Sequence, residues 1–180
     1  MFCLLVILPF TVFCHTTGTS SKSKNLIHDT LGCHLIWDGI VFDTDSKTIQ
    51  GATVSVFQDT VLVEEMTTNK NGKCLVYIGM NTKVKIIISY PDYVSKILII
   101  DTTVPFTKCS VNFSIPYSVY LFKYQKGVDV EILKNPIATI QYDPKIKKFS
   151  FDAKQVKKIN NMIIDRYEEY NQSLLHPSKK

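Results

Sequence analysis

The chain has 180 residues, 45% of them apolar, and a formal net charge of +5 from 21 Lys and Arg against 16 Asp and Glu. This length suits one ordinary domain with an appendage, and a mean hydropathy of +0.04 excludes disorder as the global state. Arg166 is the only arginine, whereas surfaces that read nucleic acids usually combine arginine forks with lysines. We therefore expect the scattered lysines to lie on solvated faces and the protein not to bind nucleic acid.

The N-terminal residues have the pattern of a secretory signal peptide. An apolar run over residues 2–13 is too short to span a bilayer, and small and polar residues follow it over 15–23. We expect a signal peptide over residues 1–18 and a polar leader over 19–33. Because no Lys or Arg precedes the run, the alternative of a buried strand at the start of a cytosolic protein stays open.

Cys14 is a candidate lipidation site. It follows the apolar run directly, where a lipoprotein signal places the cysteine that is acylated, although Phe13 is larger than the residue usually found there. A lipid on Cys14 would anchor the protein to a membrane instead of leaving it soluble in the periplasm.

Cys33, Cys74 and Cys109 remain after the signal peptide is removed. In an oxidising compartment they allow one disulfide, with three pairings open and one thiol left over. The alternative for Cys74 is a small buried apolar residue in a strand. The cysteines and histidines lack the spacing of a zinc site, so we expect no metal and no cofactor.

Short apolar runs alternate with turn residues between Leu35 and Tyr124, which is typical of β-structure. The first run is apolar on both faces and should be a central strand. Asn71 and Gly72 predict a hairpin turn because both residue types tolerate a positive φ. The predicted strands are residues 35–42, 52–56, 61–68, 74–78, 84–90, 94–100 and 117–124.

The pattern changes after Gln125. Residues 137–142 and 148–151 predict two strands that are joined across Asp143 and Pro144. Asp152 then has the position of a helix N-cap, with Gln155 three residues later.

An amphipathic helix is predicted to follow Asp152 and to stop at Pro177. Lys157 and Lys158 lie near its start and Glu168 and Glu169 near its end, which opposes the helix dipole. The helix should therefore depend on docking its apolar stripe against the sandwich or a partner. The stripe consists of Val156, Ile159, Ile163, Tyr167, Tyr170 and Leu174.

Four segments resemble the carboxypeptidase regulatory-like domain. Residues 39–43 (GIVFD), 49–56 (IQGATVSV), 67–73 (TTNKNGK) and 86–93 (IIISYPDY) follow its order of G-x-V-x-D, G-A-x-V-x-V, T-x-x-x-G-x-F and a closing aromatic residue. The resemblance covers roughly residues 35–105 and implies a prealbumin-like β-sandwich of about seven strands. Two departures are Cys74, where the family has an aromatic core residue, and Asp92, where it has glycine.

We therefore predict a mainly β fold, namely a seven-stranded prealbumin-like antiparallel β-sandwich over residues 34–125. A C-terminal hairpin and amphipathic helix should form an appendage over residues 126–180. In bacteria of the Bacteroidetes type, domains of this family occur in small exported proteins and at the start of outer-membrane receptors. The resemblance thus implies an exported protein of the periplasm or outer membrane.

The expected function is that of a non-catalytic cell-envelope module, a binding or structural scaffold for a protein or glycan partner. The alternative is an accessory subunit of an outer-membrane receptor or transport assembly that docks through Ile163, Tyr167 and Tyr170. A prealbumin-like hydrolase of 5-hydroxyisourate is a remote alternative, because the resemblance would require a Tyr-Arg-Gly-Ser ending that residues 177–180 lack. Asp43 and Asp45 offer too few oxygens for calcium and are expected to form an ordinary turn.

Overall fold

The computed structural model describes residues 33–108 and 111–175. The predictions for residues 1–32, including the signal peptide, the candidate lipidation site Cys14 and most of the polar leader, lie outside this part of the chain, as do Cys109 and Pro177. The described elements are β1 (His34–Phe42), β2 (Thr53–Gln58), β3 (Val61–Thr67), β4 (Lys73–Gly79), β5 (Lys83–Ser89), β6 (Tyr93–Val94), β7 (Lys96–Asp101), β8 (Phe113–Tyr120), β9 (Phe122–Lys123), β10 (Ala138–Asp143), β11 (Lys148–Ser150) and α1 (Ala153–Leu175), with short 3-10 turns at Phe106–Lys108 and Glu131–Lys134.

The strands form two main sheets and a small ribbon. The first sheet has the order β4-β1-β8, and the second has the order β11-β10-β7-β5-β2-β3. Strands β6 and β9 pair separately as a two-stranded ribbon. Strand β1 lies between two neighbours, as its two apolar faces predicted.

Alternate residues of the strands point into one shared hydrophobic core. Strand β1 alternates between half-buried and buried positions along its whole length, and β5 and β7 show the same period of two. The inward side chains of both main sheets belong to a single cluster. At its centre lie fully buried residues such as Trp37, Ile86, Leu98 and Ile140.

The predicted mainly β fold and β-sandwich are confirmed, but two details of the prediction are wrong. The described residues of the sandwich region, 34–125, contain nine strands rather than seven, and the C-terminal hairpin adds the two strands that were predicted for it. The pairing is mixed and not wholly antiparallel, because β8 runs parallel to β1 and β10 runs parallel to β7. Both parallel partners lie far apart in the sequence, so no local turn signal could reveal them.

The turn at Asn71 and Gly72 does not close a hairpin. Gly72 has the predicted positive φ of 69°, and its N–H donates to the carbonyl of Asn69 at 2.8 Å. However, β3 before the turn belongs to the six-stranded sheet and β4 after it belongs to the three-stranded sheet. The turn therefore carries the chain from one layer of the sandwich to the other.

Asp92 and Cys74, the two departures from the resembled family pattern, both have an ordinary place in the fold. Asp92 has a φ of 64° in the corner before Tyr93, a conformation that Asp tolerates better than most residues. Cys74 is buried in the core cluster from β4, so a small side chain fills this position.

The C-terminal segment is part of the same core. The predicted hairpin exists, since β10 and β11 pair across Asp143 and Lys148, and β10 extends the six-stranded sheet beside β7. Asp152 caps α1, with its Oδ1 accepting the N–H groups of Lys154 and Gln155 at 2.9 and 3.0 Å. The helix then buries Ile159 and Ile163 against the sandwich.

Gly39 is required because the indole ring of Trp37 lies over it on the same face of β1. A Cβ built on Gly39 would approach Trp37 Cη2 to 2.3 Å, closer than any side chain can accommodate. The ring is fully buried and cannot move aside without displacing the core.

We expect Gly39→Ala to lower the free energy of unfolding by about 2–3 kcal/mol through this overlap. Urea denaturation of the purified protein measures the effect. The control is Gly51→Asn, because no atom lies within 4 Å of a Cβ at Gly51 and Asn tolerates its φ of 78°. Equal losses in the two variants would contradict the role given to the Trp37 ring.

Candidate functional site

Lys96 is the most unusual residue of the core. It is the first residue of β7, opposite Ile88 of β5, and its side chain points into the sandwich with an exposed fraction of 0%. Lysine is almost never buried to this extent without a paired charge. None of the ion pairs among the described residues includes Lys96.

Two groups contact the Lys96 amine. Its Nζ donates a hydrogen bond to Oδ1 of Asn160 on α1 at 2.8 Å, and it lies 4.6 Å from the centre of the Phe122 ring on β9. The ring face attracts a cation, and this attraction strengthens where water is excluded. Lys96 thus connects the six-stranded sheet, the ribbon and the helix.

Burial lowers the pKa of Lys96 from its ordinary 10.5 to about 7. The physical cause is the loss of water around the charged form, since the site supplies an amide oxygen and a ring face but no carboxylate. Close to neutral pH the amine therefore exchanges its proton within the protein interior.

An open groove of about 690 Å³ lies on the other side of Phe122 and Asn160. Its aromatic walls come from the end of β8, the ribbon and α1, and amide and charged groups stand at its rim. The lining residues are Thr44, Tyr120, Phe122, Lys123, Tyr124, Gln125, Asn160, Ile164, Tyr167, Glu168 and Asn171. A concave site of this size, mostly apolar with a few polar groups, is typical of a small-ligand site.

Tyr167 fixes the floor of the groove. Its ring packs on Phe122 with 5.7 Å between ring centres, and its hydroxyl donates to the backbone carbonyl of Lys123 at 2.5 Å. Burial raises the pKa of this hydroxyl. The phenol is therefore a neutral hydrogen-bond donor that ties α1 to β9.

Two further contacts hold the C-terminal half of α1. Arg166 donates to the carbonyl of Asp129 at 2.9 Å and makes an ion pair with its carboxylate at 2.8 Å. The ring of Tyr170 covers Gly127, where an added Cβ would lie 2.5 Å from it. The loop before the second 3-10 turn is thereby fixed beside the groove, and its Gln125 donates to Oδ1 of Asn171 at 3.1 Å.

The residues predicted as a partner-docking stripe lie on the inner face of α1. Ile163 has an exposed fraction of 0% within the chain's own core, so in this structure it is not accessible to a partner, contrary to the docking role predicted for it. Tyr167 and Tyr170 are half-buried against β9 and the neighbouring loop. Leu174, assigned to the same stripe, is instead 61% exposed.

Cys74 is a buried thiol, and burial together with the charge of Glu64 raises its pKa to about 12. The Cys74 thiol is free in the structure, so the two predicted pairings that involve Cys74 are absent from it. The pairing of Cys33 with Cys109 stays a prediction.

The turn at Asp43 has the hydrogen bonds of an ordinary turn, because its Oδ1 accepts the N–H groups of Asp45 and Lys47 at 2.9 and 2.8 Å. Within residues 33–108 and 111–175, no three His, Cys, Asp or Glu side chains gather in a way that could hold a metal ion. Over the same residues, no helix combines the length and the apolar character that crossing a bilayer requires.

Sequence reasoning did not identify Lys96 or the groove. Lys96 directly precedes the continuous apolar run of residues 97–100, and its place on the same face as Leu98 and Ile100 is the only signal of its burial. The aromatic residues 120, 122 and 124 alternate in the sequence, but their meeting with α1 depends on long-range packing.

No family model matches the chain, and no curated protein matches it. Among solved structures, it is similar to 3-chlorocatechol 1,2-dioxygenase from Rhodococcus opacus 1CP, with a TM-score of 0.41, 13% identity and coverage of 54% of this chain and 63% of that chain. It is also similar to catechol 1,2-dioxygenase from Acinetobacter radioresistens, with a TM-score of 0.40, 16% identity and coverage of 52% and 53%. For the Bacillus anthracis TIE protein the TM-score is 0.42, with 12% identity and coverage of 51% and 18%.

The chain thus spans less than two thirds of the length of these proteins. Similarities of this extent carry no argument about what the chain does. The function has to be argued from its own residues.

We expect the stability of the protein to rise with pH from about 7 to 8.5. The folded state releases the Lys96 proton in this range while the unfolded chain keeps it up to 10.5, so stability is lost as the pH falls toward 7. The upper limit avoids the range in which Cys74 and Tyr117, whose pKa values burial raises to about 12, ionise in the unfolded chain.

Lys96→Met should flatten this slope and raise the free energy of unfolding at pH 7 by on the order of 2 kcal/mol, because an apolar chain of similar length replaces a desolvated amine. Urea denaturation at several pH values measures both effects. The matched control is Lys157→Met on the exposed face of α1, which should leave the slope unchanged. A slope that persists in Lys96→Met would contradict the assignment.

We expect the Cys74 thiol to resist alkylation in the folded protein, because the thiolate is the reactive form and burial disfavours it. Iodoacetamide labelling followed by peptide mass spectrometry measures this, with the protein in denaturant as the control. Non-reducing maps of the same digests should contain a peptide that links Cys33 to Cys109. Rapid labelling of native Cys74, or a disulfide at Cys74, would contradict this account.

Proposed function

We propose that the protein is an exported, non-catalytic module of the cell envelope that binds its partner in the groove between α1 and the ribbon. The observation that carries this proposal is the aromatic groove itself. It is concave, of ligand size, and bounded by side chains that hydrogen bonds and packing hold in place.

The amide groups of the groove support binding rather than chemistry, and the charged groups of the lining, Lys123 and Glu168, are exposed at its rim. Asn160, Gln125 and Asn171 are amides, which donate and accept hydrogen bonds but do not exchange protons near neutral pH. Tyr167 uses its hydroxyl to fix the helix, and Lys96 lies behind the wall and not in the groove. Such an arrangement suits a protein that binds its ligand and releases it chemically unchanged.

Export and retention in the periplasm or at the outer membrane belong to the same proposal. They rest on the predicted signal peptide over residues 1–18 and, for membrane anchoring, on Cys14. Mass spectrometry of the mature N-terminus distinguishes a processed chain, a lipidated chain and an unprocessed one.

Ile164→Trp tests the groove. Ile164 lines it and is 42% exposed, so a larger indole would occupy space that the ligand needs without entering the core. We expect immobilised wild-type protein to retain a component of an envelope extract. The variant should retain at least tenfold less of this component. Mass spectrometry identifies the retained component and shows whether it is eluted chemically unchanged.

The matched control is Ile146→Trp, which places the same indole at a 56% exposed position in the turn between β10 and β11. Ile146→Trp should retain the component as the wild type does. Equal retention by all three proteins would overturn the groove as the binding site, and elution of a chemically altered component would overturn the non-catalytic assignment.

A further inference from the structure

We infer that the ligand of the groove is a neutral glycan segment, and that Lys96 positions the Asn160 amide to donate a hydrogen bond to one of its hydroxyl groups. This inference rests on the proposed function, because it names the class of ligand for the same groove. It is carried by the orientation of one amide and by the kinds of groups around it.

The orientation of Asn160 follows from its partner. In its protonated form Lys96 donates hydrogen bonds and accepts none, so on the acidic side of its pKa the amide atom that faces Nζ at 2.8 Å is the oxygen. The amide nitrogen, with its two donors, is then left for the groove that Asn160 lines. Lys96 is thus a positioning residue, since it touches the amide and not the ligand.

Polar groups of both kinds surround this donor. Gln125 donates to Oδ1 of Asn171, which leaves the Gln125 oxygen as an acceptor and the Asn171 nitrogen as a donor at the rim. Glu168 adds a carboxylate that only accepts, and Lys123 an ammonium that only donates. A ligand hydroxyl group both donates and accepts, so a polyhydroxyl ligand can satisfy every one of these groups.

The aromatic walls supply the remaining contact. Tyr120, Tyr124 and Phe122 line the groove, and Tyr124 is 60% exposed. A sugar ring has an apolar face of C–H groups between its hydroxyls, and this face packs against an aromatic ring while the hydroxyls reach polar partners. A purely apolar ligand would leave the amides without partners on binding, which weakens its affinity.

The charges at the rim disfavour an acidic ligand. The two charged side chains of the lining, Lys123 and Glu168, carry one charge of each sign, and both are exposed. An anionic ligand would gain from one and be repelled by the other, so these two rim charges give it no net attraction, and the Lys96 amine lies behind the wall and is not part of the lining. A neutral glycan fits this balance.

The test is binding of the full-length protein to an array of immobilised neutral and acidic glycans, followed by calorimetry with the neutral oligosaccharide that is retained best. Dodecanoate serves as an amphiphilic probe with a long apolar chain and one carboxylate. We expect saturable binding of a neutral glycan that Ile164→Trp abolishes. Asn160→Ala should weaken it about tenfold, the loss of one buried hydrogen bond, whereas the exposed neighbour variant Asn161→Ala should stay within twofold of the wild type.

The variant Lys96→Met distinguishes the role of Lys96 in positioning the Asn160 amide from its effect on the stability of the fold. The variant should be at least as stable as the wild type, yet it should bind the glycan several-fold more weakly, because the released Asn160 amide loses its fixed orientation. The measurement is made on the acidic side of the Lys96 pKa, where the amine carries its proton. Unchanged affinity in Lys96→Met would overturn the positioning role.

The outcomes distinguish this inference from the proposed function. If dodecanoate or only acidic glycans bind, or if no neutral glycan is retained, the glycan class is wrong. The groove function would then still be judged by the difference in captured material between Ile164→Trp and Ile146→Trp. If that difference is absent as well, both proposals fail.

Discussion

The burial of Ile159 and Ile163 of α1 against the sandwich is the contact on which the rest of the molecule depends. Two inward side chains, one helical turn apart, replace water over the end of the core with an apolar surface. By the usual measure each stabilises the fold by about 1.5–3 kcal/mol. Without them, α1 would keep only the partly buried contacts of Tyr167 and Tyr170, the Arg166 ion pair and a few hydrogen bonds, and the wall that it gives the groove would be weakly held.

That contact also explains why a lysine can be buried here. Once the helix covers β7, the Lys96 amine is cut off from water and must use what the helix and the ribbon provide, an amide oxygen and a ring face. The loss of water around the amine lowers the stability of the fold, while the hydrogen bond from the amine fixes the orientation of Asn160. A local loss of stability is thereby coupled to a defined arrangement of groups at the groove, a pattern that is frequent at functional sites.

Sequence patterns predicted the local features of the fold well. The strands with a strict period of two, the central position of β1 and the Asp152 cap all depend on neighbouring residues, and all are present. The start of β8 was missed because Pro116 lacks the N–H of a ladder residue and argues against a strand, although residues 113, 115, 117 and 119 keep the apolar alternation. The layer change at Gly72 and the two parallel pairings were missed because they depend on which distant strands meet.

The candidate site could not be predicted from the sequence for the same reason. The aromatic residues of β8 and β9, the helix face with Asn160 and the lysine of β7 come together only in the packed molecule. The apolar stripe of α1 was recognised, but its pattern is the same whether it covers the chain's own core or a partner. The burial of Ile163 distinguishes these cases, and no periodicity contains that information.

The parallel pairing of β10 with β7 has a consequence for how the protein folds during its synthesis. Ala138 lies beside Leu98, so one edge of the larger sheet has no neighbour until about forty later residues have left the ribosome. Contacts that are this distant in sequence slow folding, and an uncovered strand edge invites association with other chains. A nascent chain held at this stage would be a natural client for a chaperone.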